Sequence, residues 1–419
     1  MENSVTQSIL VVGGGMAGMT AAIEAAEAGY DVILVERNPY LGGRVAQLNK
    51  YFPKLCPPYC GLEINFRRMK QSPHVRFFTL AEVENIAGQE GDFTVTVKLS
   101  PRYVNEKCTA CGQCAEACTM EIDNPFNYGL DKIKAAYLPH LMAFPQRFIL
   151  APALAASPEG RKVKEACPYG AVDLDMKPQT VELKVGAVVW ATGWDPYDPA
   201  KLDLYGAGRY ANVITNVQME RLAAGNGPTG GRIVRLSDRQ PPRSVAFIQC
   251  AGSRDENNLG FCSGICCLAS LKQATYVRDQ LPEAEIYFFY IDIRATDRLE
   301  DFYTKVKEDG GLTFVKGKVA KITEGPNHNP VLRVEDTTTE MLKEVEVDLA
   351  VLATGMQPAT SKSAPPLGVA RDDYGFIGRE TGVPGVYGAG CVRTPAGVTE
   401  TVADGTAAAL KAIQSIARR

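Results

Sequence analysis

The chain has 419 residues, of which 45% are hydrophobic, and this predicts a globular protein with two or three domains. Its 45 Lys and Arg residues against 48 Asp and Glu residues give a formal net charge of −3 at pH 7, and no long basic run occurs. This charge balance argues against nucleic acid as a partner.

Cysteine is the unusual feature of the composition, with 12 residues. The leading segment MENSVTQS has no secretory pattern, and no apolar stretch is long enough to span a bilayer. We therefore expect a cytoplasmic protein, without direct membrane insertion, whose membrane contact is made through another subunit. In a reducing compartment, so many cysteines indicate metal or redox ligands more often than disulfides.

The first motif is ILVVGGGMAGMTAAIEAAEAGYDVILVER, residues 9–37. Gly13, Gly15 and Gly18 stand between an apolar strand and an alanine-rich helix, and Glu36 ends the next strand. These glycines allow a tight turn, the approach of a pyrophosphate and close helix packing, while the acid accepts hydrogen bonds from a ribose. A glycine-rich turn that binds nothing is the alternative, but all parts of a dinucleotide site occur at the required offsets.

The next segment, LGGR, indicates which dinucleotide binds. Gly42, Gly43 and Arg44 resemble the second glycine pair of flavin disulfide reductase-type proteins, which lies along the FAD pyrophosphate. VVWATGW (188–194) and VLATGMQP (351–358) resemble the ATG strands of that superfamily. The resemblance therefore implies FAD.

The segment VYGAGCVRTPAGVTETVADGTAAA resembles the C-terminal flavin motif of the same superfamily. Cys391 occupies a position that is acidic in the superfamily. This difference puts the contact with the ribityl chain in question, whereas the helix that follows the motif is still expected. Across the last three segments, the residues that the resemblance assigns to the cofactor are Thr192, Gly193, Gly355, Gly390 and Cys391.

A ferredoxin-like insertion interrupts the first flavin half. NEKCTACGQCAEACTMEI has the spacing C-x2-C-x2-C-x3-C, and a further cysteine precedes proline in EACPYGAVDLD. One [4Fe–4S] cluster is predicted, because such a loop can wrap three thiolates around a cubane while a distal cysteine closes the site. The predicted ligands are Cys108, Cys111, Cys114 and Cys167, with Cys118 as an alternative ligand. Structural zinc is the competing interpretation.

A second cysteine group lies in IQCAGSRDENNLGFCSGICCLASLKQA, residues 248–274. The strand SVAFI leads into QCAGSRDE where a nucleotide domain would carry its glycine-rich loop for NAD(P)H, so no NAD(P)H use is expected. The predicted ligands of a second [4Fe–4S] cluster are Cys250, Cys262, Cys266 and Cys267. A vicinal disulfide, buried thiols and a zinc site are alternatives that spacing alone leaves open.

The predicted fold class is α/β, a flavoprotein with two dinucleotide-binding domains of the thioredoxin and disulfide reductase type and a ferredoxin-like insertion. The expected boundaries are 1–100 for the first part of the FAD domain, 101–178 for the insertion, 179–195 for the continued FAD domain, 196–355 for the second domain and 356–419 for the C-terminal FAD part.

Taken together, GGRVAQLNKYFP, KAAYLPHLMAFPQ, the IQCAGSRDE to FCSGICC loop and VYGAGC resemble the A-type flavin subunit of heterodisulfide reductases over nearly the whole chain. That resemblance implies a cluster at the second cysteine group beside FAD. The chain ends soon after the flavin motif, at IARR, and this short form most resembles the A-type flavin subunit of the quinone-interacting membrane-bound oxidoreductases of sulfate-reducing organisms.

Three further residues are possible redox groups. The family resemblance implies that Lys272 lies near the flavin ring, whereas spacing alone favours a solvated lysine. Cys56 and Cys60 form a C-x3-C pair in KLCPPYCGLEI, which resembles a cysteine-bearing segment of the family close to the flavin. Their spacing differs from that of thioredoxin-type exchange, so a structural thiol pair is the default interpretation.

The leading functional hypothesis is an electron-transfer oxidoreductase subunit with FAD and two clusters. The resemblance implies partners within a membrane-bound complex: a haem-containing membrane subunit, and a second subunit with flavin and iron–sulfur groups. It also implies a path between membrane quinol and a cytoplasmic reductase for adenylylsulfate in sulfate respiration. The alternatives are a stand-alone NAD(P)H-dependent flavin oxidoreductase and a scaffold without FAD.

Overall fold

A computed structural model describes residues 6–417 of the chain, which fold as mixed α/β. The helices are α1 Met16–Glu27, α2 Tyr59–Gln71, α3 Gln113–Glu116, α4 Pro152–Ala155, α5 Pro158–Glu165, α6 Asn216–Ala223, α7 Cys266–Gln280, α8 Leu299–Glu308 and α9 Val398–Ala417. The strands are β1 Ser8–Val12, β2 Asp31–Glu36, β3 Val75–Thr79, β4 Ala81–Gln89, β5 Asp92–Leu99, β6 Glu121–Asp123, β7 Lys132–Lys134, β8 Ala136–Tyr137, β9 Ile149–Leu150, β10 Gln179–Val185, β11 Ala187–Trp190, β12 Trp194–Pro196, β13 Val213–Thr215, β14 Ser244–Ala251, β15 Glu285–Tyr290, β16 Leu312–Lys316, β17 Val319–Glu324, β18 Pro330–Asp336, β19 Met341–Glu346, β20 Leu349–Thr354, β21 Met356–Pro358 and β22 Val386–Gly388.

The chain divides into two compact units. The first unit comprises Tyr59–Trp194 together with the chain up to Ala46 and from Pro358 onward, and the second comprises Gln47–Pro58 and Asp195–Gln357. The expected boundaries place residues 47–58 in the FAD domain, whereas their contacts group them with the second unit. Among the described residues, no helix is long and apolar enough to cross a membrane.

The first unit is built on a parallel sheet in the order β22-β11-β1-β2-β3. β1 is apolar on both faces because both faces are covered. Ile9 and Val11 pack into a core with α1 and α9, whereas Leu10 and Val12 pack into a second core with β4, β5 and β10. The sheet therefore lies between a helical layer and an antiparallel sheet.

The insertion leaves and re-enters this unit between two neighbouring strands. β5 and β10 pair antiparallel, and Leu99 at the end of β5 faces Gln179 at the start of β10. Between these residues the chain forms α3, α4, α5 and the short strands β6 to β9 around an apolar cluster of its own. Residues 101–178 therefore connect two adjacent strands without interrupting their pairing.

The second unit repeats the parallel arrangement in the order β13-β20-β14-β15-β16, with the antiparallel sheet β17-β18-β19 beside it. Ala246 and Ile248 of β14 share a core with residues of the antiparallel sheet such as Ile322 and Leu332. α7 follows β14 in sequence, as the helix follows the first strand of a dinucleotide-binding domain. The predicted pair of α/β dinucleotide-binding domains is confirmed.

Candidate functional site

The N-terminal site is a pair of glycine turns that lie against each other. Gly13 has φ +109°, and a Cβ on Gly18 would come within 1.8 Å of the Gly13 carbonyl oxygen. The turn that carries Gly43 packs on Gly15, since a Cβ on Gly43 would lie 2.9 Å from the Gly15 Cα. Gly15 is the N-cap of α1 and has no side chain with which to cap the first amide groups of the helix. This geometry suits the approach of a pyrophosphate to the backbone.

Glu36 is buried at the end of β2 with its carboxylate fixed by three donors. The amide of Gly14 donates to Oε2 at 2.6 Å, and the backbone and side-chain nitrogens of Asn38 donate to Oε1 at 2.7 Å. Burial raises the pKa of Glu36, and the hydrogen bonds from Asn38 and Gly14 oppose that rise. The acid therefore has a fixed orientation beside the glycine turn, as the ribose contact requires.

The structure leaves two buried polar atoms at the end of β11 without a protein partner. Among residues 6–417, neither Trp190 Nε1 nor Thr192 Oγ1 has a hydrogen-bond partner, although both atoms are inaccessible to solvent. Buried polar groups are normally paired, so such atoms mark a place where a ligand supplies the missing partner. Because a Cβ on Gly13 would lie 3.0 Å from the Thr192 Cα, this strand end meets the glycine turn, and the residues here fit FAD.

Arg44 and Gly193 occupy the same strand end. Arg44 donates from Nε to the Trp194 carbonyl at 3.0 Å and from Nη1 to the Tyr128 hydroxyl at 3.2 Å. Its guanidinium also lies over both aromatic rings, 5.6 Å from the Trp194 centroid and 5.8 Å from that of Tyr128. Gly193 adopts φ +71°, and its carbonyl accepts a bond from the Ala359 amide.

An aspartate that the sequence analysis did not single out supplies a carboxylate at the C-terminal flavin motif. Cys391 is buried, which raises its pKa, and its Sγ lies 3.5 Å from the Ala396 carbonyl oxygen. The backbone amide of Gly390 donates a hydrogen bond to Oδ2 of Asp404 at 2.6 Å, and Asp404 also forms an ion pair with Arg393. The carboxylate therefore comes from α9, 14 residues beyond Gly390, where no spacing rule of the motif would place it.

The four predicted ligands in the insertion line one pocket. Cys108, Cys111, Cys114 and Cys167 all border it, together with Tyr169. Burial raises the pKa of Cys114 to about 12, and the charges of the other three thiols add to the rise. Two of the four sulfurs accept hydrogen bonds from backbone amides. Ala110 N lies 3.4 Å from the Cys108 Sγ, and Ala171 N lies 3.3 Å from the Cys167 Sγ. Amide groups on thiolate sulfurs are among the features that tune iron–sulfur sites.

Cys118 lies away from this pocket. It is 1% exposed, belongs to the apolar cluster of the insertion and directs its Sγ to the Met120 carbonyl oxygen at 3.5 Å. Among residues 6–417, no three Cys, His, Asp or Glu side chains converge on a point where one metal ion could bind. The four pocket cysteines stay the predicted ligands of a cluster, and zinc stays the competing interpretation.

The second cysteine group surrounds the start of α7. Cys266 and Cys267 are the first two residues of this 15-residue helix, which has no side-chain cap, and Cys250 lies in β14 with φ +57°. Burial raises the pKa of Cys266 and also that of Cys267, the latter to about 11, and in both cases the charges of Cys250 and Cys262 add to the effect. The four thiols therefore lie within electrostatic range of one another.

The loop between β14 and α7 is folded on itself where a dinucleotide domain would present its phosphate loop. Gly252 has φ +79°, and a Cβ there would meet the Tyr197 ring at 2.6 Å. The hydroxyl of Tyr197 donates to Asn258 at 2.7 Å, while the amide of Leu259 donates back to the Gly252 carbonyl. The Tyr197 ring thus covers the turn at Gly252, and the hydrogen bond from Leu259 holds the loop folded against it.

Unpaired polar atoms also occur beside this loop. Gln249, next to Cys250, is 2% exposed, and within residues 6–417 neither atom of its amide has a hydrogen-bond partner. Ser253 Oγ is buried and unpaired in the same part of the chain. Gly355 packs against this loop, since a Cβ on it would lie 2.2 Å from Ser253 Oγ. The unpaired amide and hydroxyl fit a cluster whose sulfurs accept hydrogen bonds.

Lys272 is buried in an ion pair, so the interpretation as a solvated lysine is wrong. Its Nζ lies 2.9 Å from Glu220 Oε1, with both side chains 3% exposed, and donates to the Lys50 carbonyl at 2.6 Å. Glu220 also accepts bonds from the Asn49 amide at 2.9 Å and from Gln273 Nε2 at 2.7 Å. α6 and α7 therefore hold residues 49–50 through buried charges, which explains why the segment 47–58 belongs to the second unit.

Cys56 and Cys60 are both exposed and lie in different units. Cys56 belongs to the segment held by the second unit, and its Sγ lies 3.6 Å from the Lys54 carbonyl oxygen. Cys60 lies in the first turn of α2. A redox role for the pair stays a prediction.

Residues 8–55 match the family model described as FAD dependent oxidoreductase. One A-type iron–sulfur subunit of the CoB–CoM heterodisulfide reductase of Methanopyrus kandleri is 39% identical over 427 residues, which cover 99% of this chain and 65% of that protein. The A-type subunit of the ferredoxin/F420H2-dependent enzyme of Methanosarcina acetivorans is 37% identical, over 99% of this chain and 54% of that protein. The chain is a homologue of the A-type subunits of heterodisulfide reductases. It spans little more than half to just under two thirds of the length of these relatives.

Solved structures agree on the fold. Thioredoxin reductase of T. acidophilum aligns with a TM-score of 0.54 and 17% identity, covering 97% of this chain and 98% of that one. Thioredoxin reductase of Lactococcus lactis aligns with a TM-score of 0.56 and 14% identity, covering 99% and 100%. At these identities the likeness concerns the fold alone, and it confirms the predicted fold with two dinucleotide-binding domains of the thioredoxin reductase type.

We predict that Lys272→Met lowers the free energy of unfolding by about 3–5 kcal/mol, because it leaves Glu220 buried without its cation. Adding Glu220→Gln should restore part of the loss, since no lone charge then remains buried. Chemical denaturation followed by circular dichroism measures both effects.

The control is Lys184→Met in the first unit, where Lys184 and Asp92 lie 3.4 Å apart and are 62% and 67% exposed. Its cost should not exceed about 1 kcal/mol, because both charges stay in solvent. Equal costs for Lys184→Met and Lys272→Met would contradict the assignment of Lys272 to a buried pair.

Proposed function

We propose that this chain is an electron-transfer subunit that holds FAD and two [4Fe–4S] clusters, and that it works as part of a larger oxidoreductase complex. Homology to the A-type subunits of heterodisulfide reductases and the match to an FAD dependent oxidoreductase domain support the class of the protein. The named activity of those relatives belongs to longer proteins, so the electron donor and acceptor of this chain are part of the proposal.

The observation that carries the proposal is the start of α7. A dinucleotide-binding domain directs the first amide groups of this helix at an anionic pyrophosphate, because the helix N-terminus carries partial positive charge. Here Cys266 and Cys267 are the first helical residues, and the loop before them is closed by Tyr197. A cluster with thiolate ligands is also an anion, so the same end of the helix can stabilise it. The domain would therefore use the same positive helix end for a cluster in place of a pyrophosphate.

The first unit supplies the FAD site in this proposal. Gly13 and Gly15 let the pyrophosphate approach α1, and Glu36 orients the ribose. Thr192 offers the cofactor a buried hydroxyl that has no partner within residues 6–417. Asp404 provides a carboxylate at the C-terminal motif, where Cys391 cannot. Bound FAD can exchange two electrons with one partner and single electrons with clusters. The chain itself binds, orients and shields these groups.

We further propose where the electrons come from and go. The resemblance to the A-type flavin subunit of the quinone-interacting complexes favours a location on the cytoplasmic side of a membrane, reached through partner subunits. These partners would be a haem-containing membrane subunit, and a second subunit with flavin and iron–sulfur groups. The path would then join membrane quinol to a cytoplasmic adenylylsulfate reductase.

The experiment for the proposal has two parts: anaerobic purification from the native source with partners attached identifies the acceptor, and cofactor analysis of this chain separated from its partners gives the FAD and iron content. We predict about one FAD and about eight irons per chain, four for each cluster. Cys266→Ala combined with Cys267→Ala should reduce the iron by half and leave FAD in place. Iron near four in the unaltered chain, with an EPR spectrum that the double substitution does not change, would overturn the second cluster.

The ligand set of the insertion has its own test. We predict that Cys167→Ser removes one cluster signal from the EPR spectrum, because Cys167 lines the pocket with the other three cysteines. Cys118→Ser is the matched control and should retain the signal, since Cys118 directs its sulfur into the apolar core. The opposite pattern, with the signal lost in Cys118→Ser and kept in Cys167→Ser, would assign the four contiguous cysteines instead.

The alternative function is a stand-alone NAD(P)H-dependent flavin oxidoreductase. We predict no rapid reduction of the flavin by NADH or NADPH, because Tyr197 and the folded loop cover the turn at Gly252 that would meet a pyrophosphate. Stopped-flow absorbance of the flavin measures this directly, with dithionite as the positive control. Stoichiometric bleaching by NADH within milliseconds would favour the alternative.

A further inference from the structure

Arg254 holds a positive charge beside the second cysteine group. It follows Cys250 by four residues and adopts φ +53°, and its amide donates to the Phe261 carbonyl, so the loop folds back toward the end of β14. Its side chain is 24% exposed. Phe261 directly precedes Cys262, so the hydrogen bond to Phe261 holds Arg254 beside the part of the loop that carries a second proposed ligand. Arg254 is thus a cation of the loop that joins Cys250 to Cys262.

A carboxylate from a different strand fixes this guanidinium. Arg254 Nη1 lies 2.7 Å from Asp292 Oδ1, and Asp292 follows the end of β15. The backbone carbonyl of Asp292 is 3.8 Å from the Cys267 sulfur, so this residue also borders the cysteine group. Arg294 reaches the same Oδ1 at 3.3 Å and is 47% exposed. Two cations therefore share one carboxylate at the edge of the site.

We propose that Arg254 is a positioning residue that raises the reduction potential of the cluster held by Cys250, Cys262, Cys266 and Cys267, and that Asp292 limits this effect. The inference rests on the proposed second cluster. Reduction adds negative charge to a group that is already anionic, so a cation beside its sulfurs stabilises the reduced form. Because Arg254 is locked by a short ion pair and only partly exposed, solvent screens its charge less than that of a free surface arginine.

The two substitutions have opposite expected signs. Arg254→Gln removes the cation and should lower the midpoint potential of this cluster. At the unaltered midpoint, the ratio of reduced to oxidised cluster should fall roughly tenfold, which is about 59 mV for a one-electron couple. Arg254→Lys should restore most of that ratio because it keeps the charge. Asp292→Asn removes the opposing anion and should raise the midpoint.

EPR-monitored redox titration of the full chain is the measurement, with the signal of the insertion cluster as an internal reference. Arg278→Gln is the matched control: Arg278 is 22% exposed, lies near the other end of α7 and pairs with Asp309 at 3.3 Å. It should leave the midpoint unchanged. A shift in Arg278→Gln as large as that in Arg254→Gln would overturn the local assignment.

The outcomes separate this inference from the proposed function. An unaltered chain that lacks the second cluster signal overturns the proposed function and the inference together. A normal signal whose midpoint is the same in Arg254→Gln and Asp292→Asn overturns the inference alone. If Arg254→Gln fails to assemble the cluster, Asp292→Asn decides: a higher midpoint supports the inference, and an unchanged or lower one overturns it.

Discussion

Both units depend on one constraint: the amide groups in the first turn of a helix have no carbonyl partner within the helix and need another acceptor. In the first unit the constraint is met by glycine: Gly18 permits α1 to lie so close to β1 that a Cβ would fall 1.8 Å from the Gly13 oxygen. The amides at the start of α1 have no side-chain cap, and such a helix end suits an anion. In the second unit α7 begins with Cys266 and Cys267 at the corresponding place after β14. The two helices share one electrostatic design and differ in the anion that it suits.

The insertion shows how a cysteine-rich segment can be added without disturbing the host unit. Because β5 and β10 pair from Phe93 to Leu99 and from Gln179 to Val185, the antiparallel sheet is continuous although 79 residues separate its strands in sequence. The inserted segment keeps its own apolar cluster, in which Cys118 is buried. The apolar cluster of the insertion therefore positions the pocket cysteines, and the parallel sheet of the first unit contributes less.

Local spacing rules explain what the sequence alone could predict. The glycines from Gly13 to Gly18 and the cysteine triplet of the insertion act within a few residues of one another, so their spacing alone is enough to predict a dinucleotide turn and a cluster loop. Asp404 at Gly390 and Glu220 at Lys272 were missed because each contact joins different elements, and the second pair is 52 residues apart in sequence. The grouping of residues 47–58 with the second unit was missed for the same reason: it depends on buried contacts to α6 and α7 that have no sequence signature.

The Glu220 pair changes what Lys272 can do. Glu220 Oε1 lies 2.9 Å from the Lys272 ammonium, so this buried pair as a whole is neutral. Arg254 and Arg294, in contrast, share the single carboxylate of Asp292, so that group keeps a net positive charge. Two buried ions such as Lys272 and Glu220 are costly to desolvate, and in some proteins such a pair serves to fix a geometry. Here the geometry is that of the Lys50 carbonyl and the Asn49 amide, which the pair holds against the helix that begins at Cys266. The main role of the pair is therefore to hold the backbone of the segment that continues to Cys56. The electrostatic field of the neutral pair is that of a dipole, which is weaker than the field of a single charge.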